Sequence, residues 1–177
     1  MNKIKIFPIP LRFLFIGGLL SGAIFFLTAC PYESKFTLGK SNACPIDSAL
    51  LGEWMGCDTA THPGDDSIYM KVFAFNEHEY YINFGNKRNG VISKDEHLRG
   101  FETKIGTVRF MNVVGLGEGK WSYYKFMFAG DKLKVCYLSD KFIQNAFKSQ
   151  EEFNTFVTKN IKDPKMLEDD ITFRKLK

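Results

Sequence analysis

The stretch TVRFMNVVGLGEGKWSYYKFMFAGDKLKVCYL, residues 107–138, decides the fold. It holds three short runs rich in Val, Phe and Tyr, Thr107–Val114, Trp121–Phe128 and Lys132–Leu138, broken by Gly115-x-Gly117-x-Gly119 and by Gly130-Asp131. Aromatic and β-branched residues suit a pleated strand, and Gly and Asp supply the backbone that tight turns require. Connections this short join antiparallel neighbours, because a parallel crossover needs a dozen residues or more. The run GLGEG follows a strand, as a phosphate loop would, but it leads into another strand and so has no helix N-terminus to hold an anion. It reads as a hairpin turn.

Upstream the pattern repeats, in Leu50–Gly56, Ser67–Asn76, Glu79–Phe84 and Leu98–Ile105, with Asn and Gly in the breaks. Downstream it changes. Ser149-Gln-Glu-Glu152 is a capping box, and Phe153, Phe156, Val157 and Ile161 follow at helical spacing until Asp163-Pro164 stops the helix. A shorter helix over about 140–147 is a further reading. Asp170–Leu176 (DITFRKL) then reads as a closing strand. The expected fold is therefore mainly β: an antiparallel meander closing to a barrel of about eight strands, with one C-terminal helix before the last strand.

The chain has 177 residues, 45% hydrophobic and 15% aromatic, with 24 basic and 20 acidic residues. That length suits one core, and the aromatic content excludes disorder. The formal charge of +4 is concentrated at the start, where Lys3, Lys5 and Arg12 precede the apolar run Phe13–Leu27. The next residues, Leu27-Thr28-Ala29-Cys30, resemble the lipobox of bacterial lipoproteins. The resemblance implies a signal peptide over residues 1–29 and diacylglycerol on the Cys30 sulfur, with the freed amine often acylated as well. An uncleaved transmembrane anchor is the competing reading, weakened by Gly17, Gly18, Ser21 and Gly22 within the run and by its 15-residue apolar length. Either reading places the remainder outside the cytoplasmic membrane. In a two-membrane envelope Pro31 is not the usual aspartate retention signal, which points to the outer membrane facing the periplasm.

Without residues 1–29 the balance is 21 basic against 20 acidic residues, too even for a nucleic-acid partner. Residues 30–43 read as a lipidated flexible tether and 44–177 as the single barrel domain.

Gly52-Glu53-Trp54 at the first strand is similar to the Gly-x-Trp signature of lipocalins, small barrels that also carry a helix before their last strand. That resemblance gives Trp54 a structural role, plugging the closed end against an arginine, with Arg174 or Arg109 as partners. The Thr-Asp-Tyr motif of that family is not evident here. A barrel of eight strands is either filled by side chains or open to one small ligand. The large residues available as a lining are Tyr69, Phe73, Tyr80, Tyr81, Phe84, Phe110, Tyr123, Phe126 and Phe128.

With Cys30 acylated, Cys44, Cys57 and Cys136 remain, enough for one disulfide; Cys44–Cys57 is the first choice and Cys57–Cys136 the second. No Cys-x-x-Cys, Gly-x-Ser-x-Gly, His-Glu-x-x-His or Walker motif occurs. The three histidines, His62, His78 and His97, lie in polar connections, and His62 with Asp65 and Asp66 is the best catalytic candidate in a segment that also reads as turn chemistry. No catalytic residue, cofactor or metal is expected. The function read from the chain is a non-catalytic envelope lipoprotein that binds a small apolar ligand or lipid, or else a filled barrel acting as an inhibitor or assembly accessory. Its partners are the bilayer, through acylated Cys30, and that ligand.

Overall fold

The computed structural model describes residues 31–57, 66–88, 91–144 and 146–176. Eight strands run up and down in chain order: β2 (Gly52–Cys57), β3 (Asp66–Ala74), β4 (Glu79–Arg88), β5 (Val91–Ile105), β6 (Val108–Gly115), β7 (Trp121–Ala129), β8 (Lys132–Leu138) and β9 (Leu167–Lys175). Every pairing is antiparallel, and β9 joins both β8 and β2, which closes the barrel. A two-residue strand, β1 (Glu33–Ser34), precedes them and pairs with the start of β7. The mainly β barrel with one helix before its last strand is the fold expected from the sequence.

Period-two alternation sorts the side chains. Trp54, Val72, Tyr80, Ile82, Met111, Val113, Phe126, Leu133 and Phe173 point inward and form the inner core. Residues between them face out. Along β6 this sends Arg109, Met111 and Val113 inside and Phe110 and Asn112 outside.

Those outward residues are covered by a second core. Helix α1 (Gln150–Asn160) lies outside the wall with Phe153 and Val157 fully buried, packed with Phe110, Tyr123, Leu38, Leu138, Ile143 and Met166. Its N-terminus is set by the capping box: the Glu152 amide donates to Ser149 Oγ at 3.1 Å, while the Glu152 carboxylate accepts from the Lys148 amide at 2.9 Å. The reciprocal bond therefore falls one residue earlier than a capping box usually places it. A 3-10 turn, Pro164–Met166, leads into β9. Residues 140–149 hold no helix among the described residues, so the shorter helix read there is not formed; Ser139 instead anchors a turn through the Phe142 and Ile143 amides.

The segment 31–43 is not a tether. It lies along the outer wall as a strap, with Leu38 fully buried and the Leu38 amide donating to Asn112 Oδ1 at 2.7 Å. Tyr123 donates to the Phe36 carbonyl, and the Asn154 side chain accepts from the Gly39 amide. Gly39 has φ +71° and passes so close to Thr103 that a Cβ would collide with its hydroxyl. Polar composition concealed this packing: only Tyr32, Phe36 and Leu38 carry it, without a period. The compact unit accordingly begins at Pro31 and not at residue 44.

The two ends of the barrel differ. At one end lie the β3–β4, β5–β6 and β7–β8 hairpins and the segment 44–51, which crosses the opening. At the other lie Pro31, the end of β2 and start of β3, the end of β4 and start of β5, the β6–β7 turn and the exit to α1. The GLGEG run is the β6–β7 hairpin turn, with the Glu118 amide bonded to the Gly115 carbonyl at 3.0 Å.

Candidate ligand cavity

The lower end is sealed. Ile46 and Leu50 are fixed by backbone bonds to Glu77 and Asp47, and the Trp54 indole N–H donates to the Leu50 carbonyl at 2.9 Å. Trp54 is 1% exposed, within the inner core at this end. Neither expected arginine covers it. Arg174 is exposed on the outer face, opposite Met55, and the cation over the Trp54 ring is Lys175 Nζ at 5.1 Å. Arg109 is one ring further in, 4.6 Å from the Phe126 centroid and 5.7 Å from that of Phe128, which itself packs on Trp54.

Arg109 organises the polar floor of the barrel. Its guanidinium donates to both oxygens of Glu102, at 2.8 and 2.6 Å, and to Asp47 at 2.7 Å. Glu102 is 2% exposed, so this two-pronged bond balances a carboxylate taken almost wholly out of water. Burial alone would raise Asp47, but the Arg109 hydrogen bond, the Ala49 amide and the guanidinium charge outweigh it and hold the carboxyl below its usual range. The Asp47 amide donates to the Tyr80 hydroxyl at 2.7 Å, and burial pushes that hydroxyl up to about 12. The sealing segment is thus clamped to the barrel by Tyr80, Arg109 and Trp54.

Above this floor the barrel is hollow. A cavity of about 340 Å³ lies between Leu50 and Phe126 below and the opposite end above, walled by Met70, Val72, Ile82, Phe84, Leu98 and Met111 among others. Polar groups enter the lining at the mouth, where Glu33, Glu96, Glu118, Lys120 and Ser122 stand with Pro31. Tyr124 and Tyr137 also line it; burial raises the Tyr124 hydroxyl, outweighing a hydrogen bond with Ser122 that lowers it. The arrangement is the usual one for a small-molecule site, an apolar concavity of several hundred Å³ with a few polar groups near its entrance. Among the described residues the charged groups of its lining are Glu33, Glu96, Glu118 and Lys120 at the mouth, and Arg109 and Glu102 bond each other below it.

Of the aromatic residues proposed as a lining, Phe84 and Phe126 reach the cavity. Tyr80 and Phe128 belong to the floor. Phe110 and Tyr123 face outward into the second core, and Phe73 and Tyr81 lie on the outer surface. Met70, Met111 and Leu98 escape a reading that picks out large rings, whereas inward parity selects every second residue whatever its size; Tyr124 escapes it because composition does not say which of the adjacent Tyr123 and Tyr124 points inward.

The cysteines are far apart. The Cys44 carbonyl lies 3.0 Å from His78 Nδ1 at the sealed end, and Cys44 is a buried free thiol. Cys57 closes β2 five residues beyond Gly52, roughly 17 Å along a strand. The first-choice pairing, Cys44–Cys57, is therefore not made. Cys57 and Cys136 are separated by β9, about two interstrand spacings or 9–10 Å, beyond the ~7 Å Cα reach of a disulfide. His97 belongs to β5, not to a connection, with its ring stacked on Tyr81 and Nδ1 2.9 Å from the Tyr81 hydroxyl. His62 and Asp65 lie outside the described residues, as do Cys30 and the side chains of Cys57 and Asp66. Among the described residues no group of three or more His, Cys, Asp or Glu could hold a metal ion, and no helix is long and apolar enough to cross a membrane.

No family model, no curated protein and no solved structure matches the chain.

Proposed function

We propose that this is a lipid-anchored lipoprotein of the bacterial cell envelope whose barrel holds one apolar ligand, an acyl chain or comparable lipid fragment. The observation that carries the reading is the cavity: apolar along its depth, sealed at one end, polar at its mouth and about 340 Å³ in volume. A methylene occupies about as much space as a water in the liquid, roughly 30 Å³, so one chain of about ten carbons fits and two do not. The lipobox ending at Cys30 supports the anchor, and the absence of the aspartate retention signal at Pro31 supports the outer membrane.

The test is native mass spectrometry of the mature protein together with titration of an undecanoic acid dansylated at its far end, whose chain fills the cavity while the dansyl group stays at the open mouth. The expected result is one copurifying lipid per chain and saturable dye binding. Val113→Trp, which fills the cavity from β6, should weaken dye binding at least tenfold with the far-ultraviolet circular dichroism unchanged. A protein that carries no lipid and ignores the dye sinks the proposal.

A second reading, an interaction protein, is favoured by one outer-surface feature. Phe73, Tyr81 and His97 stack across β3, β4 and β5, and Phe75 beside them is 60% exposed. Crosslinking from this face in intact envelopes should then trap one partner reproducibly; a scatter of neighbours argues against it.

A further inference from the structure

The strap removes the slack between anchor and barrel, and it begins at the mouth. Pro31 lines the cavity entrance, forms an isolated bridge with Ser139, and is followed by Tyr32, whose amide donates to the Leu138 carbonyl at 2.8 Å. Glu33 and Ser34 then pair with Ser122 and Trp121 at the start of β7. The chain is therefore tied to the barrel from its first described residue. Cys30 precedes Pro31 directly, and consecutive Cα atoms are only about 3.8 Å apart. A lipid on the Cys30 sulfur would thus be joined one residue before the Pro31 that lines the mouth, with no dozen-residue leash between.

We infer that the barrel stands mouth-down on the bilayer, and that the ligand it takes is an acyl chain drawn from that bilayer without crossing water. The inference rests on the lipid-anchor reading above and adds the orientation and the source of the ligand. Two exposed apolar side chains at the mouth end fit it: Val91 on the β4–β5 hairpin is 68% exposed and Leu116 on the β6–β7 turn is 58% exposed. Toward the sealed end Phe73, Phe75, Met127 and Leu176 are exposed as well, with Lys71 over the Phe73 ring and Arg99 over the Phe75 ring, so the orientation rests on where the chain enters the barrel and not on apolar exposure. Two or three acyl chains hold a protein to a membrane where one would only visit, so an anchor placed at the rim keeps the mouth in the interface. A mouth held there exposes the apolar cavity to lipid tails and shields it from solvent.

The experiment uses the mature, lipidated protein in phospholipid vesicles whose acyl chains carry bromine, a short-range quencher of tryptophan fluorescence. Leu116→Trp places a reporter at the mouth and Asp131→Trp places one at the sealed end, both on exposed turns, and the unsubstituted protein supplies the background of Trp54 and Trp121. Val91→Trp and Glu77→Trp form a second pair should either of the first misfold. The mouth reporters should be quenched at least twofold more strongly than the sealed-end reporters. Equal quenching, or stronger quenching at residue 131 or 77, overturns the orientation and leaves ligand binding to its own test. An intact mass without the diacylglycerol at Cys30 overturns the anchor and the orientation together, whereas failure of dye binding in the anchored protein would fall on the cavity reading alone.

Discussion

Arg109 shows how much one side chain can settle. It reaches into the barrel, holds Glu102 with two bonds and Asp47 with a third, and lies against Phe126. Replacing it by Leu would strip the buried Glu102 carboxylate of both guanidinium bonds and leave only the exposed Lys104 ammonium, 3.9 Å away, as counter-charge; losing the close partner of a buried pair costs about 3–5 kcal/mol in comparable cases. Arg109→Leu should therefore lower the urea midpoint strongly, and adding Glu102→Leu should recover most of the loss, since the stranded charge is gone. A double variant as unstable as the single one would mean that packing on Phe126, and not charge balance, is what Arg109 provides. Tyr80 makes a prediction at the alkaline end. Its folded pKa stands near 12 against an ordinary 10.0, so its contribution is complete below pH 10 and is lost as pH rises toward 12. Tyr123 and Tyr124 are shifted the same way by burial. Chemical-denaturation stability should fall between pH 10 and 12, and Tyr80→Phe, less stable at pH 7 for want of the Asp47 amide bond, should fall less steeply. Asp47 and Glu79 give the acid counterpart: each is held below its usual value, so their contribution is present above pH 4 to 5 and is lost as pH drops through the depressed values.

At the scale of elements, what the sequence made legible follows how local the signal is. β8 falls at Lys132–Leu138 as read, and the α1 start is fixed by Ser149 and Glu152, because a hairpin turn and a capping box are written within a few residues. Two elements escaped. β4 and β5 run on to Arg88 and back from Val91, through FGNKRNGVISKDEH, a stretch too polar to look like strand; a long hairpin there is held by cross-strand pairing and needs no buried side. The strap escaped for the opposite reason, since its order comes from contacts with Asn112, Tyr123 and Asn154, more than 80 residues away in sequence for the last two. The strap is also where an element-scale prediction belongs. Leu38 is fully buried between the wall and α1, so Leu38→Ala should cost about 2–5 kcal/mol, the usual range for removing a buried leucine side chain. Hydrogen exchange should show the loss first in α1 and the strap, with β3 and β4 protected as before. Uniform loss across the barrel would mean that strap and barrel open as one unit.

For the whole molecule, one division of labour explains why the site was only half legible. Trp54 stood out in the sequence because a glycine and a tryptophan two residues apart form a local mark, and it is buried with its indole N–H on the Leu50 carbonyl. The cavity was not visible, because hollowness depends on whether eight inward rows leave space between them, a quantity no single row encodes. Many of the inward positions here are medium-sized, Met70, Val72, Leu98, Met111, Val113 and Val135, with Gly115 among them and the rings of Phe84, Tyr124 and Tyr137 beside them, while Trp54, Tyr80 and Phe128 are spent on the floor and Phe110, Tyr123 and Phe153 on the outer core. Stability and ligand volume are thus carried by different shells: the floor and the outer core fix the fold, and the upper interior is left open. Enlarging an upper side chain should then affect the two properties separately. Leu98→Phe adds bulk to the cavity wall without touching Arg109, Trp54 or α1. It should reduce dye affinity severalfold while moving the thermal midpoint by only a few degrees, in contrast to Phe126→Ala at the floor, expected to cost about 3–5 kcal/mol and to lose binding through unfolding. Parallel calorimetry and dye titration of the two variants separate the cases: if Leu98→Phe destabilises the protein as much as Phe126→Ala does, the upper interior is packed core and the cavity is not available to a ligand.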